Sequence, residues 1–514
     1  MCGAVKPLYP RGYYHHMEKV SVWVSDAEGR SWPRLESSIE VDVAIVGGGI
    51  TGITAAYLLS RAGRRVAVLE ALRVGGGSTG FSTGNLYAPV GGEGLHAVKT
   101  KFGDERVREV VESRSAAVDL IGRIVTEHRI DCGFRRVPWS LFTVDGQNEV
   151  FIENERAAAA AAGLPVSPVI PFPGSQRYGF SVPGQAQFDP FAYVTGLARS
   201  IASDTCRIYE DTRITAVEEG GQSTVRTEHG EVRASQVIMA THTPKGLYMV
   251  HTNLGPYREY AVAATLKGGY PEPGIFWEMQ EKEHYSMRTF DGPEGKMLLV
   301  LGETHKVGQK TGNEECYDRL EAFLRKRFDV DRVVRKWSAQ QYKPSDSIPY
   351  IGRTFGDHET YIATGFAADG LTYGTVAAVI ISDSILGSEN RWMRTYEASR
   401  LTPLASARNF IRENVNVAYE LISDWISTGS GAFEDVRPGE GRIMDLAGGK
   451  HAVHRDGDGN LHVCSAVCPH MGCIVHWNRA EKSWDCPCHG SRFTTDGDVL
   501  EGPAINPLKK VGIR

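Results

Sequence analysis

Residues 41–52 read VDVAIVGGGITG, and the fold of the N-terminal part turns on this stretch. Val41, Val43 and Ile45 open a buried strand that ends at Gly47. Gly47-Gly48-Gly49-Ile50-Thr51-Gly52 then satisfies the spacing GxGxxG, and the apolar run Ile50–Arg61 that follows predicts a helix. A second strand, Arg65–Leu69, ends at Glu70 and completes one βαβ unit. The glycines allow a tight turn and let backbone approach a pyrophosphate, whose charge is favoured at the helix N-terminus. Glu70 follows at about the distance where an acid accepts hydrogen bonds from a ribose 2′-hydroxyl and repels a 2′-phosphate.

Outward from this unit the chain runs to 514 residues, which predicts two or three domains. Charged and apolar fractions are those of a globular protein, and a net charge of −5 without a Lys/Arg run excludes a nucleic-acid tracker. The longest apolar stretch, Val376–Leu386, is interrupted by Ser382, Asp383 and Ser384, so no membrane span is expected. The first residues, MCGAVKPLYPRGYYHH, have neither an apolar export core nor paired arginines, and a cytoplasmic location follows as the default. Helices are expected at Arg106–Arg129, Asn154–Ala162 and Asp189–Ser203, and strands at Thr212–Glu219, Gln236–Ala240, Tyr260–Leu266 and Lys296–Leu301. The pattern from Thr375 to Trp425 is mostly helical. Ser427–Gly441 is rich in Gly and Ser and reads as a linker, with a boundary near residue 432. Short β segments follow, with a hairpin turn at Asp458–Gly459.

Cysteine is unevenly distributed. Cys2, Cys132, Cys206 and Cys316 are scattered, whereas five more crowd between Cys464 and Cys488 and alternate with histidines, which suggests metal. The spacing is Cys468-Pro-His470, fifteen residues, then Cys486-Pro-Cys488-His489. Two thiolates and two imidazoles suit either a [2Fe-2S] centre with mixed ligation or tetrahedral zinc. The order C-x-H then C-x-x-H is not that of zinc fingers.

Two resemblances sharpen these readings. The segments CPHMGC, CPCHGSRF and DGDVLEGPAINPL are similar to the Rieske family almost throughout. The resemblance implies a [2Fe-2S] cluster on Cys468, His470, Cys486 and His489, and a disulfide between Cys473 and Cys488. Ser491 matches a hydroxyl that raises the potential in respiratory Rieske proteins, whereas Phe493 replaces a hydrogen-bonding tyrosine. A potential below the respiratory values is therefore expected. The segment YIATGFAADGLTYGTVAA, Tyr361–Ala378, resembles the second flavin motif of the D-amino acid oxidase and sarcosine oxidase group. Supporting matches are Gln185–Ser200, VIMATHT (Val237–Thr243) and SDSIPYIGR (Ser345–Arg353), so that this resemblance covers about residues 36–390.

What the resemblance implies is an α/β FAD-binding domain (Rossmann-like, of the glutathione reductase type) with an α+β substrate domain, followed by a small all-β Rieske domain. The expected parts are an arm over 1–35, FAD-binding segments at about 36–95, 185–250 and 341–390, and substrate segments at about 96–184 and 251–340. A helical segment and linker span 391–431, and the Rieske domain 432–514. FAD would be held by Gly47, Gly49, Ile50, Thr51, Gly52, Glu70, Ser78, Thr79, Val217, Gly365, Gly370, Leu371 and Thr372. Phe81 stands about where some relatives have a flavin-linking histidine, and the linking cysteine of others is missing, so FAD is expected to be non-covalent.

Joining a two-electron flavin to a one-electron cluster reads as a dehydrogenase or oxidase of an amine or amino acid. Electrons would pass from flavin through the cluster to an external one-electron carrier; the alternative is a reductase fed through the cluster by a protein donor. The chain has no D-x-x-H-x-x-x-x-H pattern, and its cluster follows the flavin domain, so a Rieske oxygenase is excluded. Candidate polar groups at the flavin face are Arg258, Tyr260, His284, Tyr285, Arg288, Glu303 and His305, an arginine suiting a substrate carboxylate and Glu303 an amine.

Overall fold

The computed structural model describes residues 20–24, 32–172, 178–281, 283–292, 295–353, 359–400, 403–426, 432–446 and 449–511, with backbone alone for 403–408. Most of the expected arm, and residues 427–431 of the expected linker, lie outside the described residues.

The strand Ile39–Val46 is buried at Val43, Ala44 and Ile45, because it is covered on both faces of its sheet. It pairs in parallel with Val66–Leu69 on one side and Glu231–Met239 on the other. Thr360–Thr364 and Cys206–Tyr209 extend the sheet outward, also in parallel, and Tyr350–Arg353 closes one edge antiparallel. The helix Ile50–Arg61 and the helix Gly370–Leu386 pack together on this sheet. Gly47 (φ 108°) makes the turn between strand and helix, where a side chain would collide with the carbonyl of Ala240.

A second, nine-stranded sheet forms the substrate part. Its long members Leu254–Leu266, Gly295–Lys306 and Val330–Pro344 are antiparallel neighbours. Two of these strands are longer than their apolar patterns suggest: the run expected at Tyr260–Leu266 begins at Leu254, and the one expected to end at Leu301 continues to Lys306. The added residues include Arg258, Glu259 and Glu303, which are polar yet buried. Their partners lie elsewhere in the chain, so hydrophobic periodicity did not mark them as strand.

The C-terminal part is all-β. A three-stranded sheet (Gly441–Leu446, Gly449–Arg455, Leu461–Ser465) sits beside a four-stranded one (His476–Asn478, Ser483–Asp485, Arg492–Phe493, Val499–Glu501). Asp456 closes the expected hairpin, its carboxylate accepting from the N–H groups of Asp458 (3.0 Å) and Asn460 (2.8 Å). The helix Pro403–Ile426 bridges the two parts. Glu413 pairs with Lys306 of the long sheet at 2.7 Å, while Val417 and Leu421 pack into the C-terminal core. Among the described residues no helix is long and apolar enough to cross a membrane.

Candidate functional site

The glycine turn opens on a cavity. Gly47, Gly49, Ile50, Thr51 and Glu70 line one end of it, with Ser78 and Thr79 beside them. Thr79 Oγ1 accepts from the Ile50 N–H at 3.0 Å. Glu70 is half-buried, desolvation pushes its carboxyl up, and it accepts from the N–H groups of Gly48 (2.7 Å) and Leu72 (2.9 Å). A carboxylate has about four lone-pair sites, so acceptor capacity remains for a ribose hydroxyl. Gly370 and Leu371, at the start of the helix Gly370–Leu386, line the cavity as well.

Neither helix aimed at this cavity is capped by its own N-cap side chain. Asp369 stands at the cap of the second helix, but its carboxylate is engaged elsewhere. It accepts from Tyr87 Oη (2.5 Å) and the Gly91 N–H (2.9 Å), and it pairs with buried Arg114 at 3.1 Å. The N-terminal N–H groups and dipoles thus face a place where an anionic or carbonyl ligand fits. The donor set suits FAD, whose pyrophosphate and carbonyl oxygens are acceptors of the kind that uncapped helix starts would hold.

Four expected FAD contacts stand away from the cavity lining. Gly52 lies under the loop, where a side chain would collide with the carbonyl of Gly47. Gly365 packs near Leu254, Pro344 and Tyr350; Thr372 is buried in its helix; Val217 pairs with Val225 on a peripheral hairpin. Thr212, Arg213 and Ile214 line the cavity near Val217 in sequence.

Of the seven polar candidates, Arg258 alone reaches the cavity wall. Its guanidinium is engaged by Glu481 (3.0 Å) and Glu501 (3.1 Å), both in the C-terminal part, and by the hydroxyl of Ser338 (2.7 Å). Tyr260 Oη meets His305 Nε2 at 3.0 Å, and Tyr285 stacks on Phe323. Arg288 donates to the carbonyls of Thr83, Gly84 and Phe188. Glu303 pairs with Arg319 at 2.6 Å. His284 lies flat on Trp277 and 3.5 Å from Glu259, and it is Glu259 that lines the cavity, with Gln341 and Leu301. Burial alone would raise the Glu259 carboxyl; the His284 hydrogen bond and charge, with Lys343, hold it below the ordinary value. Glu259 was not among the candidates; the strand register is irregular between Arg258 and Tyr260, and both Arg258 and Glu259 border the cavity.

At the other end of the chain, two loops bring the predicted ligands together. The thiols of Cys468 and Cys486 lie within hydrogen-bonding reach of each other, and the Ser491 hydroxyl is within reach of Cys468. The rings of His470 and His489 are 5.0 Å apart. His489 Nδ1 is buried without a hydrogen-bond partner, and burial lowers the pKa of both imidazoles. Cys473 and Cys488 are joined by a disulfide that braces the loops. The residues present fit a [2Fe-2S] cluster with two thiolate and two imidazole ligands.

The imidazole ligands face inward. His470 Nε2 lies 3.1 Å from the carbonyl oxygen of Gly246, and the ring of His251 stands 5.0 Å from His470 and 6.2 Å from His489. Gln340 donates to the Gly490 carbonyl at 2.7 Å, and Tyr342 Oη to the His489 carbonyl at 3.4 Å. Tyr342 packs edge-on against His242, whose Nδ1 meets the Ser78 hydroxyl at 3.0 Å. Ser78, His242 and Gln340 all line the cavity, so one run of contacts joins its wall to the cluster loops.

Comparison with known proteins agrees with this geometry. The FAD dependent oxidoreductase (DAO) family model matches residues 42–384, and the Rieske [2Fe-2S] domain model matches 430–512. YhfW of Bacillus subtilis (strain 168), whose name describes a Rieske 2Fe-2S iron-sulfur protein, is 32% identical over 499 residues, covering 96% of this chain and 97% of that one. Gamma-glutamylputrescine oxidoreductase of Escherichia coli (strain K12) is 27% identical over 215 residues, 40% of this chain and 50% of that protein. Among solved structures, L-proline dehydrogenase from P. horikoshii superposes with a TM-score of 0.58 at 18% identity, over 72% of this chain and 98% of that one.

Proposed function

Since the chain belongs to the FAD dependent oxidoreductase (DAO) family and carries a Rieske [2Fe-2S] domain, we propose that it oxidises an amine or amino acid and passes the electrons through the Rieske cluster to an external one-electron carrier. The observation that carries this reading is the direction of the ligand imidazoles, which meet Gly246 and His251 of the flavin part, while Gln340 of the cavity wall holds the Gly490 carbonyl of the ligand loop. When bound, FAD supplies two-electron oxidation of a C–H bond and the cluster one-electron transfer.

The chain's own residues do the rest. The helix start at Gly370 and Leu371 directs positive dipole at the place of developing negative charge. Glu259 presents a buried negative carboxylate to the cavity, a counter-charge for a substrate ammonium, steadied by His284 and by the hydroxyl of Thr304 (2.6 Å). Arg258 serves the contact with the cluster domain instead of a substrate carboxylate. His251, Tyr342 and Gln340 contact the ligand loops and hold them against the flavin part. The names of relatives that act on amines and amino acids support the substrate class.

Anaerobic rapid mixing with a panel of amines and amino acids tests the proposal. The expected result is bleaching of the flavin absorbance followed by appearance of the reduced-cluster EPR signal, without any added protein. Bleaching that occurs only after a reduced ferredoxin is supplied overturns it and favours the reductase.

A further inference from the structure

The flavin cavity has a wall that the flavoprotein fold does not make. Thr494, Thr495, Leu500, Gly502 and Ile505 of the cluster domain line it, together with Glu70, Thr212 and Arg213. These last three mark the nucleotide end, because Glu70 ends the second strand of the βαβ unit and Thr212 lies beside it, its N–H bonded to the Glu70 carbonyl at 2.9 Å. Two contacts fix the cluster domain over that end. The Lys245 ammonium donates to the carbonyl of Gly502, and the Gly246 N–H donates to the carbonyl of Pro503 at 2.9 Å. Lys245 itself lines the cavity and lies close enough to Arg213 and Glu70 to feel their charges.

The contact between the two parts is tight as well as polar. A side chain at Gly490 would meet Pro256 at 2.6 Å and Gln340 at 2.7 Å, and one at Gly308 would meet the Asp485 carbonyl at 2.9 Å and Pro487 at 2.9 Å. Arg258 and Arg492 of opposite parts share the Glu501 carboxylate, at 3.1 Å and 2.6 Å. Burial alone would raise Glu501, but Arg492 and then Arg258 outweigh it and hold the carboxyl down at about 2.

From this geometry we propose that the Rieske domain is itself part of the FAD site: Thr494, whose Oγ1 accepts from the Asp498 N–H at 3.0 Å and keeps its O–H to donate, and Thr495 offer hydroxyls, and Leu500 and Ile505 apolar cover, to the adenosine diphosphate end of the cofactor. Flavin binding and docking of the cluster domain then form one coupled equilibrium, because a ligand that touches both parts binds the docked arrangement better than the open one. The inference rests on the cavity being an FAD site, as proposed above, but on neither the substrate nor the direction of electron flow.

Two measurements on the full-length, cluster-loaded chain test it. The first compares amide exchange at Gly246 with and without FAD. Coupling of ordinary size predicts exchange about tenfold faster once FAD is removed; equal rates overturn the proposal. The second is a fluorescence titration of FAD into Gly308→Ala, a position outside the cavity lining where the added methyl group pries the interface. The dissociation constant is expected to rise about tenfold while the Rieske EPR signal persists. Wild-type affinity in a variant whose Gly246 amide exchanges fast overturns the proposal. Should Gly308→Ala fail to assemble its cluster, the wild-type exchange comparison decides alone. Neither measurement uses a substrate, so a failed amine panel leaves the inference standing, and its own failure leaves the amine chemistry untouched.

Discussion

The glycine loop Gly47–Gly52 and the cluster loops 468–473 and 486–491 are both short, glycine-bearing turns that present backbone and a few side chains to a cofactor, yet they end in opposite surroundings. The first opens on a cavity, with Gly47, Gly49 and Thr51 on its wall. The second turns its imidazoles toward protein: Gly246 and His251 meet the half-buried His470, and His251 stands beside the buried His489. A site that must admit a molecule stays concave, whereas a site that must only exchange electrons can be closed off by its partner. The difference teaches that the histidine edge of this cluster is turned toward the chain's own flavin domain, with His489 buried there and His470 half-buried.

The largest expected effect is at Gly52. Replacing it with valine drives a side chain into the Gly47 carbonyl and displaces the whole dinucleotide loop, which should weaken FAD binding by about 100-fold or more, roughly 3 kcal/mol. The cluster EPR signal should remain, because no residue of its loops touches Gly52; a flavin-loaded Gly52→Val protein would break the contrast between the two loops. Next comes Arg258→Met. It strips a buried guanidinium from Glu481 and Glu501, but Arg492 stays with Glu501 at 2.6 Å and near Glu481 at 3.9 Å, so the cost is about 2 kcal/mol, below that of a buried charge left alone. The expected outcome is a cluster domain that undocks with its cluster in place, seen as faster amide exchange at Gly246 and slower reduction of the cluster after flavin bleaching. Unchanged exchange would show that the covered face does not depend on this ion network.

The smallest effect is a pH dependence. His476 donates to the Gly308 carbonyl (2.5 Å) and to Asp424 (2.9 Å), a pairing that needs both ring nitrogens protonated. Burial opposes the charge, but Asp424 outweighs it and raises the pKa above the ordinary value. A raised base adds stability that is complete below the unfolded value and fades as pH rises through the folded one. The contact between the two parts should therefore loosen slightly above neutral pH. Thermal melts of wild type and His476→Gln across this range check it, the variant showing a flatter profile.

Legibility in the sequence followed how local each feature is. The strand–glycine–helix unit was readable because its parts are consecutive, and the helix Ile50–Arg61 lies where the apolar period places it. The hairpin at Asp458–Gly459 was readable because Asp456 and Asn460 close it within five residues. The start of the strand Leu254–Leu266 was readable only through the family resemblance, which puts Pro256–Leu266 on a strand; its polar residues Arg258 and Glu259 are buried by partners more than two hundred positions away or on another strand, so apolar period does not mark them. The same distance hides Lys245, Thr494 and Thr495 from any motif: each lines the cavity through a chain fold that brings residues 70, 245 and 495 to one place.

The sequence by itself determined the two cofactor chemistries, because pyrophosphate turns and iron ligands demand fixed residue types at fixed short spacings. It also carried the pairing of Cys473 with Cys488, through the family pattern of the loops. Only the tertiary structure decided which way the cluster faces, that Arg258 joins the two domains, and that Glu259 borders the cavity in place of Glu303. Those outcomes depend on docking between parts distant in sequence and on strand register. Neither leaves a periodic or local trace in the chain.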